Sequence, residues 1–283
     1  MENSVFKLNQ DQLKLVQKHI LEMLLEFDRF CNEYDIKYVI VGGTLLGAVR
    51  SRGFIPWDDD ADIAMTREEY DKFRKIADKL NKDICFFQDN KNDPNYLWGY
   101  GKLRKTGTEL VRAGQEHIGE KTGVFIDVFP MDDIPKLVPF QIINYYHFAF
   151  WRKVLWAKVA VADKSLNVFQ KMIYTYLSRI PKERVYKSVD KMAKRSRNNK
   201  KCLVHPWMMP LWSDTNRFGM KPSWKYGMDK DWFLKRKRID FEGHKLWAPD
   251  DADGFLGYNW AGYMAPPPED KRVPQLKLTR VKL

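Results

Sequence analysis

The chain has little that would suit an exported or membrane-spanning protein. Its 283 residues include three cysteines, Cys31, Cys85 and Cys202, spaced too widely to suggest a disulfide framework or a zinc knuckle, so a reducing, cytoplasmic setting is expected. No run approaches the roughly 18 uncharged apolar residues that a spanning helix needs. The opening "MENSVFKLNQDQ" lacks the basic-then-apolar order of a secretion signal. The five histidines show no metal-ligand spacing, and no Ser/His/Asp arrangement is identifiable. Internal repeats are absent. With 44% hydrophobic residues, the chain has ample apolar surface for a core, which argues against disorder.

Positive charge is what it has in excess. The net charge is +12, and Lys182 to Arg238 alone contains 17 Lys/Arg against 5 Asp/Glu, a surplus equal to that of the whole chain. Such a patch reads as a solvated helical face, as a surface for anionic lipid or polyanionic glycan, or as a nucleic-acid contact. No recognised reader motif accompanies it, so specific nucleic-acid binding is not expected. Ahead of it, Leu137 to Asp163 is helical in pattern and heavily aromatic. Arg152, Lys153 and Lys158 interrupt that run, which excludes a spanning helix and leaves packing within the protein or contact with a membrane surface.

Against this basic background, one stretch collects negative charge. In "VGGTLLGAVRSRGFIPWDDDADIAM", a β-branched strand ending at Val41 meets Gly42-Gly43, a short helix follows, and four aspartates fall within five positions from Asp58. In a strand over "DADIAM", Asp60 and Asp62 point to the same face, because side-chain direction repeats every two residues. Two carboxylates that close repel unless a divalent cation lies between them, and Mg²⁺ typically shares protein carboxylates with substrate phosphates. Gly42 and Gly43 allow close approach of a phosphate to backbone, Thr44 offers a hydroxyl, and the following helix start favours an anion. Asp58 and Asp59 read as supporting residues or strand caps. Farther on, "GVFIDVFP" sets a carboxylate, Asp127, into an apolar strand, where it requires a cation, a hydrogen-bond donor or solvent access.

These segments carry a resemblance. "GGTLLGAVRSRGFIPWDDDADIAM", "KLRKTGT" and "GVFIDVFPMDDIP", with "FEGHKLWAP" and "APPPEDKR" near the end, are similar to the LicD family of phosphotransferases, which includes bacterial phosphocholine transferases and is related to fukutin-related protein. The similarity is discontinuous and reaches from about Tyr38 to about Arg272. It implies an α+β fold in which a small mixed, nucleotidyltransferase-like sheet is flanked by helices and followed by a helical, basic extension. Expected divisions are a catalytic core over 1–135, a helical aromatic and basic region over 136–238, and a C-terminal motif over 239–283 that packs back on the core.

Carried over residue by residue, the resemblance assigns Asp60, Asp62 and Asp127 as catalytic and metal-binding. The metal would be Mg²⁺ or Mn²⁺ and the donor CDP-choline. Arg50, Lys102 and Arg104 are candidate phosphate clamps beside Gly42, Gly43 and Thr44. Trp57, Tyr96, Trp98 and Tyr100 are candidate walls for a quaternary ammonium. The expected partners are a nucleotide-activated donor and a glycan or lipid-linked glycan acceptor, with peripheral contact at the inner face of the cell membrane left open. Two other readings stand beside this one: the same fold transferring another phospho-alcohol, a sugar phosphate or a nucleotidyl group, and a basic binding protein without catalysis.

Overall fold

The computed structural model describes residues 5–163, 165–195, 202–204, 228–260 and 262–283. Apolar residues at helical spacing from Leu13 form α1 (Gln10–Glu33), started by a reciprocal capping box between Asn9 and Gln12. It buries Val16, Ile20, Met23, Leu24, Phe27 and Phe30 in the main core. The chain then forms β1 (Val39–Ile40), α2 (Gly42–Ser51), β2 (Asp62–Thr66) and α3 (Arg67–Ile76). Thr66 caps α3 by accepting from the Glu69 amide at 3.4 Å. Past α3 the chain continues as a 3₁₀ turn, Ala77–Lys79.

The sheet that positions the acidic residues has the order β1-β2-β6-β4-β3, with β3 (Cys85–Gln88), β4 (Gly101–Lys105) and β6 (Phe125–Asp133). Strands β2 and β6 run parallel while the other pairs in that order are antiparallel, so the sheet is small and mixed. A parallel pair requires a crossover, supplied here by α3, β3, β4 and β5 (Glu109–Arg112). The far end of β6 pairs with β7 (Cys202–Val204), which pairs with β8 (Met228–Asp229). Strand β6 is fully buried from Phe125 to Asp132, which accounts for its near-continuous apolar sequence.

Helices α4 (Val138–Ala160), α5 (Val168–Ser178) and α6 (Lys182–Arg195) follow. They gather around a smaller cluster of their own, Ile134, Phe148, Val154, Leu155, Val185 and Val189. Much of the basic stretch, 196–201 and 205–227, lies outside the described residues. A short helix α7 (Asp231–Leu234) leads into the hairpin β9 (Arg236–Phe241) and β10 (His244–Pro249), then α8 (Ala252–Asn259). The last strand, β11 (Leu278–Lys282), pairs with β5. The prolines at 266–268 disfavour a helix, and a 3₁₀ turn at Glu269–Lys271 follows them.

The hairpin and tail hold the loop that precedes β2. Glu242, at the hairpin turn with φ +49°, accepts from the Phe54 amide at 2.9 Å, and its own amide donates to the Arg52 carbonyl at 2.8 Å. The buried Asp59 carboxylate accepts from the Leu276 amide at 2.8 Å. From the other side, the Gln17 side-chain amide donates to the Asp58 carbonyl at 2.9 Å. The ten-residue loop 52–61 is thereby tied to three separated parts of the chain.

Candidate active site

The glycine pair lies at the start of α2 rather than in a turn ahead of it, and Gly42 takes φ +60°, a left-handed value that glycine tolerates. What excludes a side chain there is a carboxylate. A β-carbon on Gly42 would stand 2.2 Å from Asp62 Oδ2, and one on Gly43 would stand 2.5 Å from Asp58 Oδ2. The two aspartates therefore lie against the N-terminus of α2, where free amides and the helix dipole favour negative charge. The Thr44 hydroxyl, itself buried, accepts from the Asp62 amide at 2.9 Å. The glycines and the threonine thus place carboxylates directly, which the sequence alone did not suggest.

Strand β2 begins at Asp62, yet pairing with β6 starts one residue earlier, since the Asp127 amide donates to the Ala61 carbonyl at 2.8 Å. Asp62 and Asp127 are direct register partners in the parallel pair. Asp58, Asp59 and Asp60 have carboxylate oxygens within 4.8 Å of one another, a group that Asp62 and Asp127 do not join by that distance. Charge nevertheless couples them. Burial first, then the Asp127 and Asp59 carboxylates, push Asp60 up to about 6. Burial and then Asp60, Asp127 and Asp58 hold Asp62 well above the usual carboxylate range. Asp58 is pushed up to about 8, chiefly by burial and then by Asp60 and Asp59. Hard oxygen donors crowded at such cost suit a hard divalent cation, which relieves their mutual repulsion.

The cation that Asp127 requires is Lys102, its register partner on β4. The Lys102 ammonium bonds Asp127 Oδ1 and sits 3.7 Å from the Phe125 ring centroid. Burial pushes that ammonium down, and Asp127 opposes the shift. Arg104 is likewise buried and committed, donating to Gln88 Oε1 at 2.6 Å and to the Gly123 carbonyl at 3.1 Å. Arg50 turns away toward the C-terminal segment, donating to the carbonyls of Tyr263 and Ala265, the latter at 2.8 Å. Of the three expected phosphate clamps, only Lys102 touches an expected site carboxylate.

Beside Lys102 opens a cavity of about 150 Å³ whose lining includes Trp98, Arg104, Arg112, Glu120 and Phe125. Glu120 leaves 9% of its side chain exposed, and its Oε2 has no hydrogen-bond partner among the described residues, while Oε1 lies 3.5 Å from Arg104. Burial pushes the Glu120 carboxyl up against the pull of Arg104 and Lys102. Arg112 is exposed at the end of β5, and its charge reaches Asp59, Asp60, Lys102 and Glu120. Neither residue stood out in the sequence, since "LVRAGQEHIGE" carries no motif. Of the four candidate cage aromatics, Trp98 lines the cavity, stacked on Trp156 at 5.8 Å. Tyr96 is wholly buried, Tyr100 packs on Phe129 at 4.8 Å, and Trp57 lies under Arg272 at 5.8 Å.

Comparison with known proteins places this sequence among relatives. The model of the LicD/FKTN/FKRP nucleotidyltransferase domain matches residues 35–181, which includes Asp58 to Asp62, Lys102, Arg112, Glu120 and Asp127. The lipopolysaccharide cholinephosphotransferase LicD of Haemophilus influenzae is 33% identical over 139 residues, 46% of this chain and 46% of that protein. An uncharacterized protein of Rickettsia typhi is 40% identical over 63 residues, 22% of this chain and 20% of its own. These matches span less than half the length of each relative.

Proposed function

The chain belongs to the LicD/FKTN/FKRP nucleotidyltransferase family, and from that premise we propose that it transfers phosphocholine from CDP-choline to a hydroxyl of a cell-surface glycan, releasing CMP. The acceptor class is a lipopolysaccharide, teichoic acid or capsule precursor, free or lipid-linked. The observation that carries the reading is the crowding of carboxylates: Asp58 and Asp62 lie against the start of α2, Asp60 clusters with Asp58, and Asp127 is the register partner of Asp62, all at a cost in repulsion that a purely structural site has no use for. The name borne by the Haemophilus influenzae relative supports the choice of phosphocholine.

In this reading Asp60, Asp62 and Asp127 hold Mg²⁺ or Mn²⁺, with Asp58 beside them and Asp59 fixing the loop through Leu276. When bound, the ion supplies Lewis-acid stabilisation of charge on the transferring and leaving phosphates. Gly42, Gly43 and Thr44 serve the donor by placing Asp62 and Asp58. The acceptor oxygen attacks the phosphorus next to choline, the bond from that phosphorus to the bridging oxygen breaks, and CMP leaves with its electron pair. Asp127, paired with the Lys102 ammonium before transfer, receives the hydroxyl proton. Arg112, exposed and within reach of the acidic group, meets the donor diphosphate. Trp98 and the unpartnered oxygen of Glu120 take the quaternary ammonium in the adjoining cavity.

The test is incubation of the purified chain with CDP-choline, Mg²⁺ and a panel of glycan acceptors, reading CMP release and phosphocholine attachment by mass. Consumption of a different activated donor, with CDP-choline left intact, would transfer the assignment to another group on the same fold.

A further inference from the structure

Helix α5 is built the wrong way round for a core helix. Its sequence, VFQKMIYTYLS, is apolar enough to pack, yet none of its residues is buried. Val168, Phe169, Met172 and Tyr176 are 80%, 69%, 64% and 71% exposed. At about 100° per residue these four fall within an arc of roughly 100° on one side of the helix, so the apolar stripe faces outward. Helix α4, against which α5 packs, adds Phe140 and Ile143, 54% and 58% exposed. Two aromatic rings of α5 alone leave on the order of 300 Å² in water, given 150–250 Å² per buried aromatic, and a patch of that kind marks a contact surface.

Charge says what the contact is. From Lys136 to Lys182 the chain carries eight Lys/Arg and a single acidic residue, Asp163. On α5 itself, Lys171 and the C-capping Arg179 flank the stripe, and both are exposed. A second copy of the chain placed on this face would bring Lys171 and Arg179 against their own kind. A bilayer with anionic headgroups would instead receive the apolar and aromatic side chains below the headgroups and the cations among them. No helix among the described residues is long and apolar enough to cross a membrane, so the mode of contact is lying on the surface.

We propose that the outward stripe of α5, with the exposed residues of α4, is a docking surface for the headgroup region of an anionic lipid bilayer. The surface is argued from exposure and charge, and it stands whichever group the enzyme transfers. It would hold the chain where lipid-linked acceptors are found.

Flotation of the full chain with vesicles tests it, using phosphatidylcholine alone and phosphatidylcholine doped with phosphatidylglycerol. The chain is expected to float with the doped vesicles, less so in high salt, and far less with neutral ones. The double substitution Phe169→Glu and Met172→Glu should cut the bound fraction by about tenfold or more. Its melting temperature and its turnover with water-soluble acceptor should not change. Lys171→Glu with Arg179→Glu should remove the preference for phosphatidylglycerol. Failure of the native chain to float with doped vesicles overturns the proposal, as does a dimer in light scattering that the Phe169→Glu, Met172→Glu variant dissociates. Since flotation involves no turnover, a negative CMP assay leaves it untouched.

Discussion

Gly42 has no side chain because the carboxylate of Asp62 stands where one would go. A β-carbon at Gly42 would lie 2.2 Å from Asp62 Oδ2, on a residue whose φ of +60° already disfavours any other amino acid. Twenty residues apart in sequence, the pair fixes both the start of α2 and the direction of a site carboxylate. Gly42→Ala is therefore expected to cost about 1–3 kcal/mol in backbone strain and to displace Asp62. Urea denaturation should show the stability loss, and CMP release should fall much further than the modest loss of folded protein explains. An alanine variant with native turnover would show that Asp62 has room to spare.

The Lys102–Asp127 pair is nearly closed to solvent, with 3% and 12% of the side chains exposed. Lys102→Met leaves a buried carboxylate without its counter-ion and should destabilise the fold by about 3–5 kcal/mol. Adding Asp127→Asn to Lys102→Met should recover much of that stability without recovering activity, because the buried charge is gone but so is the site carboxylate. Equal midpoints for the single and double variants would mean that the pair contributes little.

Metal and pH should act together on stability. Asp60 and Asp58 are raised to about 6 and about 8 in the folded chain, through burial and mutual repulsion. An unfolded aspartate titrates near 3.9. Between these values the folded state binds protons that the unfolded chain has released, so the stability these groups contribute is present below about pH 4 and is lost as pH rises toward 8. Divalent metal needs the anionic forms. The gain in melting temperature on adding Mg²⁺ should accordingly be small near pH 5 and large near pH 8. A gain that is flat across this range, or larger in acid, would contradict the carboxylate assignment.

Glu242 reaches back 188 residues to hold the Phe54 amide at 2.9 Å. Glu242→Ala removes that bond and the contact with Gly53. Loosening the loop by about 1 kcal/mol should speed amide exchange from Gly53 to Asp60 roughly fivefold while β6 stays protected. Unchanged exchange in the loop would show that Gln17 and Leu276 hold it without the hairpin.

Much of this arrangement was legible in the chain. The β-branched run before Gly42 and the apolar run around Asp127 each have a local physical cause and each gave a strand, whereas the glycine pair entered α2 and the strand after the aspartates began only at Asp62. The apolar strand around Asp127 called for a cation, a hydrogen-bond donor or solvent access, and Lys102 supplies the first. Long-range placement was not legible. That Arg50 serves the carbonyls of Tyr263 and Ala265, and Arg104 the Gln88 side-chain oxygen and the Gly123 carbonyl, depends on tertiary contacts that no spacing encodes. Arg112 and Glu120 were missed for the same reason, since each stands alone in sequence and acquires its surroundings only when β4, β5 and β6 come together. The outward stripe of α5 was hidden differently: periodicity shows that a helix is amphipathic but not which way its apolar side faces.

The central claim is that the carboxylates gathered at the start of α2 hold a divalent ion for transfer from a nucleotide-activated donor. Its most direct test is calorimetric titration of Mn²⁺ into the native chain and into Asp62→Asn, each with CDP-choline present, with CMP release followed in the same samples. The account predicts saturable Mn²⁺ binding and CMP release in the native chain, and loss of both in a variant that keeps the native melting profile. Undiminished Mn²⁺ binding or continued CMP release by Asp62→Asn would contradict it.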